Sequence, residues 1–186
     1  MVAGSNPGGN PIDGESISKN LDGEIQVEKP SDVVLGDFES GYGDWSTNLS
    51  TGGGSSNISS NQSHLGSQSV YLEEFGSGNI SRSSNINRDF DASNQDTLKV
   101  YVYVTQVDGG NDIKVNLDNT TEIQDSSIST NTWIEYEIDV SGYSGTTSLE
   151  IVFSDTSSSS GNTIKGYIDD VRLTKPSLTK FNGAGN

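Results

Sequence analysis

Thr97-Leu98-Lys99-Val100-Tyr101-Val102-Tyr103-Val104-Thr105 is the stretch that decides the fold class. Leu98, Val100, Val102 and Val104 recur at every second position, and Lys99, Tyr101 and Tyr103 fill the positions between them. Successive side chains of a β-strand point to opposite faces, so this segment is a strand with an aliphatic face toward a core and an aromatic, polar face away from it. A helix would need apolar residues three and four apart, and no segment carries that period convincingly.

The same alternation spreads outward from this strand. Asp108-Gly109-Gly110-Asn111 predicts a hairpin-type turn into a partner strand, with Ile113, Val115 and Leu117 inward and Lys114 and Asn116 outward. Between Trp133 and Val140 the inward residues are Ile134, Tyr136, Ile138 and Val140, and the outward ones are Trp133, Glu135, Glu137 and Asp139. Leu149, Ile151 and Phe153 make a further strand, as do Gln68 to Glu73, with Val70 and Leu72 inward, and Ile164 to Leu173. Eight or more such strands predict two packed sheets. Residues 50–67 and 155–162, rich in Ser, Gly and Asn, read as long exposed loops or weak edge strands.

Composition sets the limits around this reading. A chain of 186 residues with 30% hydrophobic content and 22 glycines can bury one core. Residues 1–32 hold three of the four prolines and few apolar residues, which predicts an extended arm. Within it the alternating Glu24-Ile25-Gln26-Val27-Glu28 could add as a strand to a neighbouring sheet or another subunit. The domain is expected over 33–175 and a flexible tail over 176–186. With 10 basic and 26 acidic residues the net charge is −16, so nucleic acid and anionic lipid are excluded as partners. The acidity suits either a salt-rich, halophilic setting or an ordinary acidic surface protein. No run approaches the ~18 apolar residues of a membrane span.

The absence of cysteine removes disulfides, thiolate nucleophiles and Cys-ligated zinc together. The single histidine, His64, has no second histidine to complete a zinc site and reads as a surface loop residue. Five Asn-x-Ser/Thr sequons begin at Asn48, Asn57, Asn61, Asn79 and Asn119, about the number that a Ser/Thr-rich chain produces by chance.

Four fragments occur in order: GDFESGYGDW (36–45), GSQSVYLEE (66–74), TWIEYEIDVSGYSG (132–145) and GYIDDVRLT (166–174). Their order and spacing resemble those of jelly-roll carbohydrate-binding modules, β-sandwiches of the galactose-binding-like type, over about residues 33–174. The resemblance implies an all-β jelly roll of two antiparallel sheets. It also implies a structural calcium ion, with Asp37 and Glu39 of the opening strand, backbone oxygens near Ser67, and Asp169 or Asp170 of the closing strand as candidate ligands. A hard cation takes six to eight oxygens, and carboxylates brought together would otherwise repel one another. In the pattern of that family Trp45 and Trp133 are packing residues.

Tyr101 and Tyr103, two apart on the face opposite the aliphatic one, are the candidate ligand-binding residues, with Lys99 and Tyr71 beside them; a covering loop or the arm is the alternative use of that face. No nucleophile elbow or phosphate loop accompanies the abundant carboxylates, so the chain reads as non-catalytic. The function expected is a surface-displayed structural or adhesion protein, such as a virion decoration, turret or fibre subunit. Its arm would contact other copies or other structural subunits, outside the cell or on a virion. The alternative is a glycan-binding module directed at cell-surface sugars.

Overall fold

In the computed structural model, residues 17–19, 25–27, 32–51, 53–76, 82–156 and 161–175 are described, and every helix or strand assigned among them is a strand. In the arm, Ile17–Lys19 (β1) pairs antiparallel with Ile25–Val27 (β2), Ile17 standing opposite Val27. The alternating segment around Ile25 is thus a strand whose described partner lies within the arm itself. Apart from Asp32, the rest of the arm and residues 176–186 fall outside the described residues.

Eleven further strands build two sheets: Val33–Gly36 (β3), Ser46–Asn48 (β4), Gly54–Ser59 (β5), Ser69–Phe75 (β6), Arg82–Asp91 (β7), Thr97–Val107 (β8), Asn111–Leu117 (β9), Thr120–Asp125 (β10), Trp133–Asp139 (β11), Thr146–Asp155 (β12) and Thr163–Thr174 (β13). One sheet has the order β10-β9-β12-β7-β4 and the other β11-β8-β13-β6-β5. Strand β3 joins β13 where β6 leaves off, at Val171–Leu173. All these pairings are antiparallel.

The aliphatic residues of the deciding stretch, Leu98, Val100, Val102 and Val104, are fully buried. They meet Ile113, Val115, Leu117, Leu149, Ile151 and Phe153 in one core, joined by Val70, Leu72, Ile86, Ile164 and Ile168. At about 1.5–3 kcal/mol for each buried Val, Leu, Ile or Phe side chain, this core is the main source of cohesion between the sheets.

One expectation needs correction. Asp108–Asn111 does not close a hairpin, because β8 pairs with β11 and β13 while β9 pairs with β10 and β12. The turn, with Gly110 at φ +85°, carries the chain from one sheet to the other. For the low-complexity 50–67 stretch the edge-strand alternative holds over 54–59, where β5 pairs with β6 from Gly54–Glu74 to Ser59–Ser69. Strand β7 gave little signal, since its inward positions include Ser84 beside Ile86 and Phe90; it is held by ten register pairs with β12.

The opening motif folds around two rings. Phe38 and Trp45 are buried, with ring centroids 5.7 Å apart. Trp45 Nε1 donates to the Leu35 carbonyl at 2.9 Å, and the Arg88 guanidinium lies over the indole, 5.6 Å from its centroid. Trp45 is therefore a packing residue. Gly36 is required because a Cβ there would stand 2.6 Å from Phe38 Cζ and 2.8 Å from Trp45 Nε1. In the closing strand, the register shifts between Asp169 and Arg172, and Asp170 takes φ +52°, a left-handed conformation that L-residues adopt at a cost.

Candidate ligand-binding face

The outer face of the six-stranded sheet carries the aromatic residues left over by the alternation. Strand register sets them side by side: Trp133 of β11 opposes Tyr103 of β8, Tyr103 opposes Tyr167 of β13, Tyr167 opposes Tyr71 of β6, and Tyr71 opposes Asn57 of β5. The rings touch in sequence, with centroids 5.5 Å apart for Trp133–Tyr103, 6.4 Å for Tyr103–Tyr167 and 5.4 Å for Tyr167–Tyr71. At about 4.8 Å between neighbouring strands, this row runs roughly 14 Å across the sheet, at right angles to the strands. The hydroxyls of Tyr103 and Tyr167 have no hydrogen-bond partner among the described residues.

One end of the row opens into a depression of about 330 Å³ lined by Asn57, Ser59, Asn61, Tyr71, Thr105, Lys165 and Tyr167. Tyr71 donates its hydroxyl to Glu73 Oε2 at 3.0 Å, and Ser55 Oγ donates to the same oxygen at 3.1 Å. Burial, and then the Glu73 carboxylate, raise the Tyr71 phenol well above its ordinary range.

The next row along β8 is closed. Lys99 donates to Glu135 at 2.6 Å and also pairs with Glu137, while Tyr101 donates to Glu135 Oε2 at 2.6 Å. The Lys99 ammonium, followed by the Tyr101 hydroxyl, pulls the Glu135 carboxyl down to about 2. The loop between β5 and β6 then lays His64 flat on Tyr101, with centroids 3.8 Å apart and planes 14° from parallel. The same ring meets Trp133 edge-on at 5.3 Å.

The loop is pinned from below. Buried Asp169 accepts the backbone N–H groups of His64 at 2.7 Å and Leu65 at 3.0 Å. Asp170 Oδ2 lies 3.0 Å from His64 Nδ1, and its other oxygen accepts from Arg172 Nε at 2.9 Å. Burial pushes the Asp169 carboxyl up, against the three amide donors that favour its ionised form.

Of the four candidate ligand-binding residues, then, Tyr103 and Tyr71 stand half-buried in the ring row beside buried Tyr167, whereas Lys99 and Tyr101 are engaged by glutamate and Tyr101 is covered by His64. Trp133 joins the row rather than only packing an edge. Tyr167 and Lys165 were not singled out by sequence, although they share the outward parity of β13 with Asp169.

The candidate calcium ligands do not converge on one point. Glu39 accepts the Ser67 N–H at 2.7 Å, the Ser67 hydroxyl at 2.7 Å and the Gln68 N–H at 2.8 Å. These donors, the Ser67 hydroxyl first, lower the Glu39 carboxyl. Asp37 is exposed and accepts the Glu39 N–H at 3.3 Å. Among the described residues no three acidic or histidine side chains gather around a common centre. The donors directed at Glu39 and Asp169 take three of the roughly four acceptor sites of each carboxylate.

No protein-family model matches the chain, and no curated protein matches it in sequence. Solved structures do. TmCBM61, determined with β-1,4-galactotriose, is 14% identical with a TM-score of 0.54, covering 75% of this chain and 94% of its own. CBM27-1 of Caldicellulosiruptor saccharolyticus, determined with mannohexaose, is 17% identical at 0.56, covering 80% and 99%. The K2 cleaved adhesin domain of Lys-gingipain is 18% identical at 0.53, covering 77% and 99%. At such identities the likeness is one of architecture: this chain has the jelly-roll β-sandwich fold of carbohydrate-binding modules.

Proposed function

We propose that the chain is a non-catalytic glycan-binding module that takes its ligand across the outer face of the six-stranded sheet. The observation that carries this reading is the row Trp133–Tyr103–Tyr167–Tyr71, four rings brought together from four strands and ending in a depression lined by amide, hydroxyl and ammonium groups. Aromatic faces pack against the C–H faces of pyranose rings while surrounding polar groups take the hydroxyls. A row about 14 Å long suits an oligosaccharide rather than a single sugar.

The state of the carboxylates supports binding over hydrolysis. A glycosidase needs an acid held protonated near neutral pH beside a second carboxylate. On this face Glu135 is held down near 2 by Lys99, Glu137 is paired with the same lysine, and Glu73 accepts two hydroxyls. Asp169 is the raised carboxyl, and it is sealed under the His64 loop.

TmCBM61 and CBM27-1 were determined with oligosaccharides, which is consistent with this reading, though the identity of this chain's sugar does not follow from theirs. A role in display on a surface or a virion is compatible with it, and would rest on the arm, where only 17–19, 25–27 and 32 are described.

A glycan array followed by titration calorimetry with the strongest oligosaccharide tests the proposal. Tyr103→Ala and Tyr71→Ala should each weaken binding about 5–10-fold, and Asn87→Ala, on the opposite sheet, should leave it unchanged. Wild-type affinity in both tyrosine variants would refute the assignment of the face.

A further inference from the structure

Of the seven basic side chains among the described residues, Arg82, Arg88, Lys99 and Arg172 are held by partners. Arg88 is held by Asp44 and the Leu35 carbonyl, Arg172 by Asp170 and Asp32, and Lys99 by two glutamates. Lys165 differs. No carboxylate among the described residues comes within 4.0 Å of its Nζ, and no hydrogen bond from its side chain to another described residue is formed. It stands on the aromatic face, two residues from Tyr167, and lines the depression at the end of the ring row.

The groups around it are rich in free donors. The Tyr167 hydroxyl and the Asn61 side-chain amide have no partner among the described residues, and both residues line the depression. Glu73, opposite Lys165 across β6 and β13, is the nearest acid by register. Its Oε2 atom already accepts the hydroxyls of Tyr71 and Ser55, which direct it along its own strand and toward β5. An ammonium, an amide and a phenol thus share a depression in which the adjacent carboxylate is engaged elsewhere. A ligand group made only of acceptors and carrying negative charge complements that set, whereas a neutral hydroxyl uses it partially.

The charge of −16 on the whole chain opposes any anion at long range. Its reach falls to about 8 Å at physiological ionic strength, so within the depression the nearest unpaired charge dominates. We propose that Lys165 makes this depression selective for sugars bearing an oxyanion, a carboxylate or a sulfate, over their neutral counterparts. The inference rests on the glycan-binding reading of the same face and adds the class of sugar.

The test is an array of neutral, uronate-bearing, sialylated and sulfated oligosaccharides at 0.15 M salt, probed with the wild-type chain, Lys165→Met and Glu73→Gln. Lys165→Met keeps the aliphatic stem, and an unchanged melting curve excludes misfolding as the cause of any loss. The expected result is a preference of at least fivefold for one charged class, removed by Lys165→Met and increased about threefold by Glu73→Gln. Which charged arm responds tells carboxylate from sulfate. Binding of charged and neutral glycans with equal strength by the wild type, or a preference for the charged class that survives in Lys165→Met, would overturn the oxyanion preference and leave the glycan-binding face standing. Binding to no glycan in any arm would overturn that reading, and this inference with it.

Discussion

Replacing Gly36 by Ala tests whether the opening motif is held by its two rings. The added Cβ would stand 2.6 Å from Phe38 Cζ and 2.8 Å from Trp45 Nε1, inside the distances that real Cβ atoms tolerate. Neither ring has room to retreat: Phe38 is 2% exposed and Trp45 6%. Trp45 is also fixed by its bond to the Leu35 carbonyl and by Arg88 over its face. Over-packing a tight site costs about 1–3 kcal/mol, and losing the buried indole hydrogen bond adds about 1 kcal/mol. The expected loss is therefore about 2–4 kcal/mol, or roughly 6–12 °C in Tm for a domain of this size. Urea denaturation followed by far-ultraviolet circular dichroism gives the free energy, with an unchanged slope showing that the unfolded state is not the cause. A loss below about 0.5 kcal/mol would mean that Phe38 and Trp45 shift freely, and the account of why glycine opens the motif would fail.

Two further outcomes follow from the electrostatics. Glu135 titrates near 2 when folded and near 4.5 when unfolded, so its pairing with Lys99 stabilises the fold above pH 4.5 and is lost as pH falls toward 2. Both side chains are part-exposed, which limits the effect to about 0.5 kcal/mol. Glu135→Gln should therefore be slightly less stable than wild type at pH 7, with the gap in urea midpoints narrowing below pH 4.5 and closing below about pH 2; an unchanged gap at pH 2 would contradict the pairing. Because Glu39 and Asp169 each accept three N–H or O–H donors, adding calcium to chelator-treated protein should leave the melting temperature unchanged. A rise of several degrees with calcium would show that these amides turn away to admit a cation.

The strands that sequence reveals are those whose inward positions are aliphatic. Leu98 to Val104 and Leu149 to Phe153 announce themselves by parity alone. Strands β5 and β7 do not, because Ser56 and Ser84 occupy inward positions that neighbouring strands cover. Parity also marks Tyr71, Tyr103 and Trp133 as outward. What it cannot supply is which of them are neighbours, since that depends on the order β11-β8-β13-β6, a long-range property. The same limit hid the place of His64: its ring meets Asp170 from 106 positions away and covers a tyrosine that reads as open from its own strand. The turn at 108–111 was misjudged for a related reason, because a Gly-rich turn has the same composition whether it closes a hairpin or passes between sheets.

The order of the six-stranded sheet also governs how the molecule is assembled in time. Its middle strand, β13, is the last of the thirteen to be synthesised, yet it lies between β8 and β6 and supports β3. Until residues 163–174 have left the ribosome, β6 and β8 have no strand to bridge them, and Tyr71 and Tyr103 cannot be drawn into one row. The sheet must close late, through contacts between distant parts of the chain, which makes slow folding the expectation. A nascent chain stalled before residue 163 would present two open strand edges to its neighbours, and those edges are where association during synthesis should begin.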